Sequence, residues 1–131
     1  MPTLAHNVAI GATFLTITPA AGFIIEALLA FFLVTVVLST AVAGRAGNLA
    51  PLAIGMTLTL NILMGGALTG AAFNPARALG PMVATGNFSD AWLYMTAPLV
   101  GAIVAALLHT GLTRLAREGM AAARAAQTPA E

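Results

Sequence analysis

A helix-start signal with too little chain behind it to cross a membrane stands between two long apolar segments. The signal is Asn74-Pro75-Ala76-Arg77, reached through the Gly/Ala-rich passage Gly65-Gly66-Ala67-Leu68-Thr69-Gly70-Ala71-Ala72-Phe73. Asparagine suits the N-cap, and proline suits the first helical position, where no N–H is needed. Behind it, Ala76 to Thr85 allows about two to three turns, because Gly80-Pro81 and Gly86-Asn87 interrupt it. A short helix that starts inside a membrane protein puts free N–H groups and a positive half-dipole where a permeant could meet them. The pattern points to a pore.

The membrane setting follows from what surrounds the stub. Of 131 residues, 60% are hydrophobic and 7% charged, whereas a soluble domain carries roughly 25% charged residues. Such a chain cannot cover a water-facing surface. Ala20 to Ala43 is apolar except for Glu26 and a few hydroxyls, long enough for a hydrocarbon core of about 30 Å. After the polar turn Gly44-Arg45-Ala46-Gly47-Asn48, Pro51 opens a second span, read as residues 50–64. The re-entrant passage and half-helix take residues 65–85, and a third span covers residues 91–115. Residues 1–19 read as an irregular extracellular loop. Residues 116–131 read as a cytoplasmic tail, helical and frayed at the membrane surface. The expected fold is an all-α membrane protein with three transmembrane helices and one re-entrant half-helix.

Orientation follows from charge. The chain has five arginines and no lysine. Arg45 follows the first span, and Arg114, Arg117 and Arg124 follow the third, so three crossings put all four on one side. By the positive-inside rule that side is cytoplasmic and holds the C-terminus. Trp92 and Tyr94 then fall at the outer end of the third span, where aromatic belts sit. Small residues four apart, Gly101 and Ala105 in the third span, suit close helix packing, as do Gly55 and Gly65 in the second.

Several functions are excluded. A net charge of +1 suggests neither nucleic acid nor an acidic substrate. Without cysteine, and with His6 and His109 far apart, no metal or cofactor site is read. No Ser-His-acid arrangement or phosphate-cradling loop supports an enzyme. Two charged residues remain inside the apolar sequence. Arg77 is costly there and is expected to face a water path, with snorkelling to the membrane interface as the alternative. Glu26 reads as a buried acceptor for the backbone N–H groups that a broken helix leaves unpaired, with a proton relay as the alternative.

Taken in order, these elements resemble the carboxy-terminal repeat of the aquaporin, or major intrinsic protein, family. The string Ala50-Pro51-Leu52-Ala53-Ile54-Gly55, then Asn74-Pro75-Ala76-Arg77, then Trp92-Leu93-Tyr94 leading to Ala97-Pro98-Leu99-Val100-Gly101 carries the resemblance. It covers residues 10–115. It implies that Asn74 donates its side-chain amide to the permeant at mid-channel and that Arg77 lines the narrow outer filter, with Ile62 and Ala71 at two further filter positions. Carbonyls of Gly70, Ala71 and Ala72 would form an acceptor ladder for single-file water, and Glu26 would match a buried structural glutamate. Water is the expected permeant. Glycerol-conducting relatives typically follow Asn-Pro-Ala-Arg with aspartate where Ala78 stands here, and have proline in place of Tyr94. Ile62 and the small Ala71 extend the expectation to small neutral solutes such as ammonia, urea or peroxide.

The family is built from two inverted repeats, and this chain holds one Asn-Pro-Ala and three spans. Met1 falls about where the loop between the repeats would begin. Two copies in one orientation cannot supply the missing half, since the repeats insert in opposite directions, and the arginine bias opposes a dual-topology dimer. The reading is the second half of a water pore in a lipid bilayer, needing a complementary half or an oligomer. The alternative is a non-conducting membrane-embedded partner or a truncated remnant of a full-length channel. Compact loops and a short tail suggest a bacterial inner membrane.

Overall fold

In the computed structural model, residues 11–127 are described. His6, most of the proposed loop at residues 1–19, and the end of the tail lie outside them. Among the described residues four α-helices follow one another: α1 (Pro19–Val37), α2 (Ala50–Thr69), α3 (Pro75–Thr85) and α4 (Ala91–Gln127). A π-turn, Leu38–Val42, extends α1, and a 3-10 turn, Gly47–Leu49, leads into α2. Three of these helical stretches are long and apolar enough to cross a membrane: Pro19–Val42, Gly47–Thr69 and Ala91–Ala126. At 1.5 Å per residue α3 is roughly 16 Å long, about half of what a span needs.

Each helix begins and ends for a local reason. Pro19 occupies the first turn of α1, and the Thr18 hydroxyl accepts from Ala21 N–H at 3.4 Å. Pro51 takes the same kind of place in α2. That helix runs five residues past Met64, where the sequence reading ended its second span. Gly65 and Gly66 each cost only about 1 kcal/mol in a helix, and Gly65 lies against Leu29 of α1, where a larger side chain would collide. The helix stops at Gly70, whose φ of +76° only glycine adopts freely. Nor does Pro81 break α3, which continues to Thr85 and ends on Gly86 at φ +67°. Its missing N–H leaves the Arg77 carbonyl without the usual partner four residues on. The third span is the first part of one continuous helix that runs on to Gln127.

α1 lies between the other two spans and packs most extensively on α4, while α2 and α4 do not lie side by side. At the α1–α4 crossing a Cβ on Gly101 would sit 1.9 Å from the Ala27 carbonyl oxygen. The backbones meet there with no side chain between them. α2 buries the stripe Asn61, Gly65, Thr69 at four-residue spacing, and α1 buries Gly22, Glu26, Leu29 and Ala30. The half-helix α3 rests on the start of α4, where Ala72, Ala78, Met82, Leu93 and Tyr94 form the main buried cluster. Trp92 stacks on Phe23 with ring centroids 6.1 Å apart. Outside these seams the apolar side chains are exposed, Leu63 by 75% and Leu107 by 68%. In water such a surface would aggregate; in hydrocarbon it is the solvated face. The protein is an integral membrane protein.

Candidate functional site: a re-entrant half-helix held by a buried glutamate

Between Thr69 and Pro75 the chain turns from a full span into a half-helix. Backbone polar groups in such a turn have no water to bond and must be satisfied by the protein. Glu26, fully buried on α1, meets that demand. One carboxylate oxygen accepts from Thr69 Oγ1 at 2.6 Å and from Ala72 N–H at 2.9 Å, and the other accepts from Phe73 N–H. Thr69 Oγ1 in turn accepts from Ala71 N–H at 3.2 Å. Three consecutive N–H groups of the passage are thereby anchored to α1 and the end of α2.

The anchoring holds a strained backbone. Ala71 and Phe73 both have positive φ, +44° and +34°, a region that costs a non-glycine residue about 1 kcal/mol or more. A trans peptide points its C=O opposite to its N–H. The Ala71 and Ala72 carbonyls therefore point away from Glu26 when the Ala72 and Phe73 N–H groups point toward it. Among the described residues, no hydrogen bond is accepted by the carbonyls of Gly70, Ala71 or Ala72. Ala71 and Ala72 are themselves enclosed, each 1% exposed, while Gly70 is half-buried.

Asn74 closes the passage. Its backbone is extended, and its Oδ1 accepts from Ala76 N–H at 2.9 Å and from Arg77 N–H at 3.4 Å. With Oδ1 committed to the cap, the amide nitrogen is turned outward, on a residue that is exposed. Ala76 and Arg77 are also exposed and Pro75 is half-buried, so the first turn of α3 presents its free face as one surface. Arg77 has no acidic partner among the described residues. Ile62 lies one position round α2 from the packed Asn61 and is 55% exposed. The structure thus groups Asn74, Pro75, Ala76 and Arg77 on one open turn, with Ile62 exposed on the neighbouring span and Ala71 and Ala72 inside.

Three side chains that the sequence reading did not assign to the site complete it. Tyr94, expected in an interfacial belt, is 1% exposed, and its hydroxyl donates to the Thr69 carbonyl at 2.6 Å. Asn61 is buried and donates through Nδ2 to the Leu29 carbonyl at 2.8 Å, tying α2 to α1. Thr69 links Glu26 to the turn. The available signal was chemical: an amide or hydroxyl inside an apolar span must find a partner, and helix packing supplies it. A strap from the N-terminal side adds further support. Thr16 N–H donates to the Leu68 carbonyl at 3.0 Å and Thr16 Oγ1 to the Ala67 carbonyl at 2.9 Å. The Thr13 backbone also lies so close over Gly70 that a Cβ there would meet Thr13 Cα at 2.9 Å.

Comparison with known proteins places this architecture. Residues 3–109 match the profile of the family described as Major intrinsic protein. Nodulin-26 of Glycine max is 46% identical over 88 residues, covering 66% of this chain and 32% of that protein. Aquaporin NIP3-1 of Oryza sativa subsp. japonica is 44% identical over 98 residues, 74% of this chain and 32% of that protein. Aquaporin TIP2-1 of Arabidopsis thaliana is 43% identical over 91 residues, 67% of this chain and 36% of that protein. The chain spans about a third of the length of these curated relatives. A profile match over most of its length, joined to three spans and a capped half-helix, means that the chain belongs to the major intrinsic protein family of membrane channels.

Proposed function

We propose that this chain forms the second half of a pore that passes water, and with it small neutral solutes, down their gradients. The observation that carries the reading is the outward amide of Asn74. Its oxygen is held by Ala76 and Arg77 N–H groups, so only its N–H donors face the open side. A water oxygen bound there is oriented with its hydrogens away from the helix end. The positive half-dipole of α3 and the Arg77 guanidinium beside it oppose cations and protons. Arg77 and Ile62 are proposed as filter residues together with Ala71, whose methyl group is enclosed and which would contribute through its backbone carbonyl. The Gly70, Ala71 and Ala72 carbonyls are the proposed acceptor ladder, supported for Ala71 and Ala72 by their direction away from Glu26. Glu26 is proposed as the scaffold of this geometry rather than as a proton carrier, because three donors already occupy its oxygens.

A complementary half or oligomer is required by this reading, since one half-helix with three spans leaves its pore face open. The relatives, two of them named aquaporins, support the permeant class. The arginines after the first and third spans support a cytoplasmic C-terminus. The relatives named above come from plants, and a bacterial inner membrane is proposed from the compact loops alone. The test is osmotic shrinkage of proteoliposomes holding this chain with an amino-terminal half of a family member, read by light scattering. Faster shrinkage than in empty vesicles, altered by Arg77→Ala, is expected. Rates equal to empty vesicles, with Arg77→Ala changing nothing, would sink the channel reading in favour of a non-conducting partner.

A further inference from the structure

A second polar site lies at the other end of the bundle, where α1 gives way to its π-turn. A cavity of about 280 Å³ opens there between α1 and α4, with Thr35, Ser39, Arg45, His109 and Thr113 among the residues lining it. Its origin is local. Ala43 N–H donates to the Leu38 carbonyl five residues back, at 2.9 Å, so the last turn of α1 is widened. Such π-turns recur at functional sites. Ala105 on α4 is small and buried, and leaves room opposite.

Thr35 gives the cavity its direction. Thr40, Thr57, Thr59, Thr85, Thr96 and Thr113 each donate to the carbonyl four residues back in their helices. Thr35 does not, and its hydroxyl is buried without a partner among the described residues. A buried hydroxyl that forgoes the acceptor beside it costs free energy unless a ligand takes it. The other donors at the cavity include the Ser39 hydroxyl, the Arg45 guanidinium and the His109 imidazole. No carboxylate lines it, and Arg45 has no acidic partner among the described residues. Thr113 Oγ1 already donates to the His109 carbonyl at 2.7 Å. The site is rich in donors and cationic, which suits an anion with several acceptor oxygens.

Depth decides the source. His109 lies 18 residues after Ala91 on α4, roughly 27 Å along the helix, and the hydrocarbon core is about 30 Å thick. The cavity therefore sits at a headgroup boundary, with Leu108 and Leu112 continuing its wall as apolar surface. Basic pockets between membrane helices at this level hold phosphorylated headgroups. We propose that this cavity binds a phosphate group, supplied by a phospholipid whose acyl chains lie along α4.

Native mass spectrometry of the chain released from phosphatidylglycerol nanodiscs tests this. One retained phospholipid per chain is expected, with retention falling about tenfold in Arg45→Gln and in Thr35→Val as a charge-assisted or buried hydrogen bond is lost. Thr96→Val, at the opposite end of α4, is expected to retain lipid as the parent chain does. Circular dichroism checks the fold, and His109→Gln replaces Thr35→Val should that variant not fold. Titration of the lipid-free chain in neutral detergent with inorganic phosphate separates the sources. Phosphate binding that depends on Arg45 and Thr35, without lipid retention, overturns the lipid source and keeps the anion site. Retention indifferent to Arg45→Gln and Thr35→Val, or binding of neither ligand, overturns the site.

Discussion

Glu26 is the side chain on which the re-entrant passage hangs, and its geometry makes a sharp demand on the residue type. Both oxygens accept, and neither has a donor to give. Glutamine would keep one oxygen and turn an NH₂ group toward a backbone N–H, leaving buried donors facing each other. Glu26→Gln is expected to lower stability in detergent by about 3 kcal/mol, the cost of a buried donor left unpaired near a formerly charged acceptor. Unfolding by denaturing detergent, followed by circular dichroism, measures it; an unchanged midpoint would mean that the passage holds itself. Tyr94→Phe removes the bond to the Thr69 carbonyl and nothing else of the buried ring. A smaller loss of about 1–2 kcal/mol is expected in the same assay. Ala78 carries a different lesson. It is fully buried against the start of α4, so Ala78→Asp would place a carboxyl in an apolar cluster with no cation among its members. Loss of the folded chain is the expected outcome, by pulse proteolysis, and the alanine is thus a packing requirement in this chain.

At the scale of elements, packing overrode local punctuation. Gly65-Gly66 and Gly80-Pro81 look like breaks, yet α2 and α3 continue through them. Gly65 is where α2 lies against Leu29, and Pro81 forfeits a single hydrogen bond in a helix already held against α4. The stops that did hold, Gly70 and Gly86, are the ones at positive φ. Gly101 is the most tightly enclosed of the described glycines, with the Ala27 backbone where a side chain would go. Gly101→Val must push α1 from α4 and disturb Glu26 with it. A drop of at least about 3 kcal/mol is expected, as for overpacking a rigid backbone contact. Gly55 has open space beside it, so Gly55→Ala should fold as the parent chain does, and equal losses at both glycines would refute the distinction. As small residues within a span the two looked alike in the sequence.

At the scale of the whole molecule, the described bundle leaves one side open. α1 packs against two partners, whereas α2 and α3 present exposed faces carrying Ile62, Asn74 and Arg77. If those faces await a complementary half, assembly with one in detergent should protect Ile62→Cys from a thiol reagent too bulky to enter a filter that passes water, while the chain alone is modified at its unprotected rate. Equal modification in both would mean that the faces stay open. Much of this was legible without coordinates. Length and apolarity determined three spans, and the helix-start quartet determined the half-helix, because both follow from the hydrocarbon's thickness and its lack of hydrogen-bond partners. That Glu26 would serve as a buried acceptor for the broken passage was readable for the same reason. What only the tertiary structure decided was which donors that acceptor takes and that Tyr94 turns inward to the Thr69 carbonyl instead of outward to an interface. It also decided that Asn61 ties α2 to α1 and that Thr35 is left without a partner beside a cavity. Such pairings join residues tens of positions apart, and no local pattern records them, since they depend on how closely small residues such as Gly65 and Gly101 let helices approach.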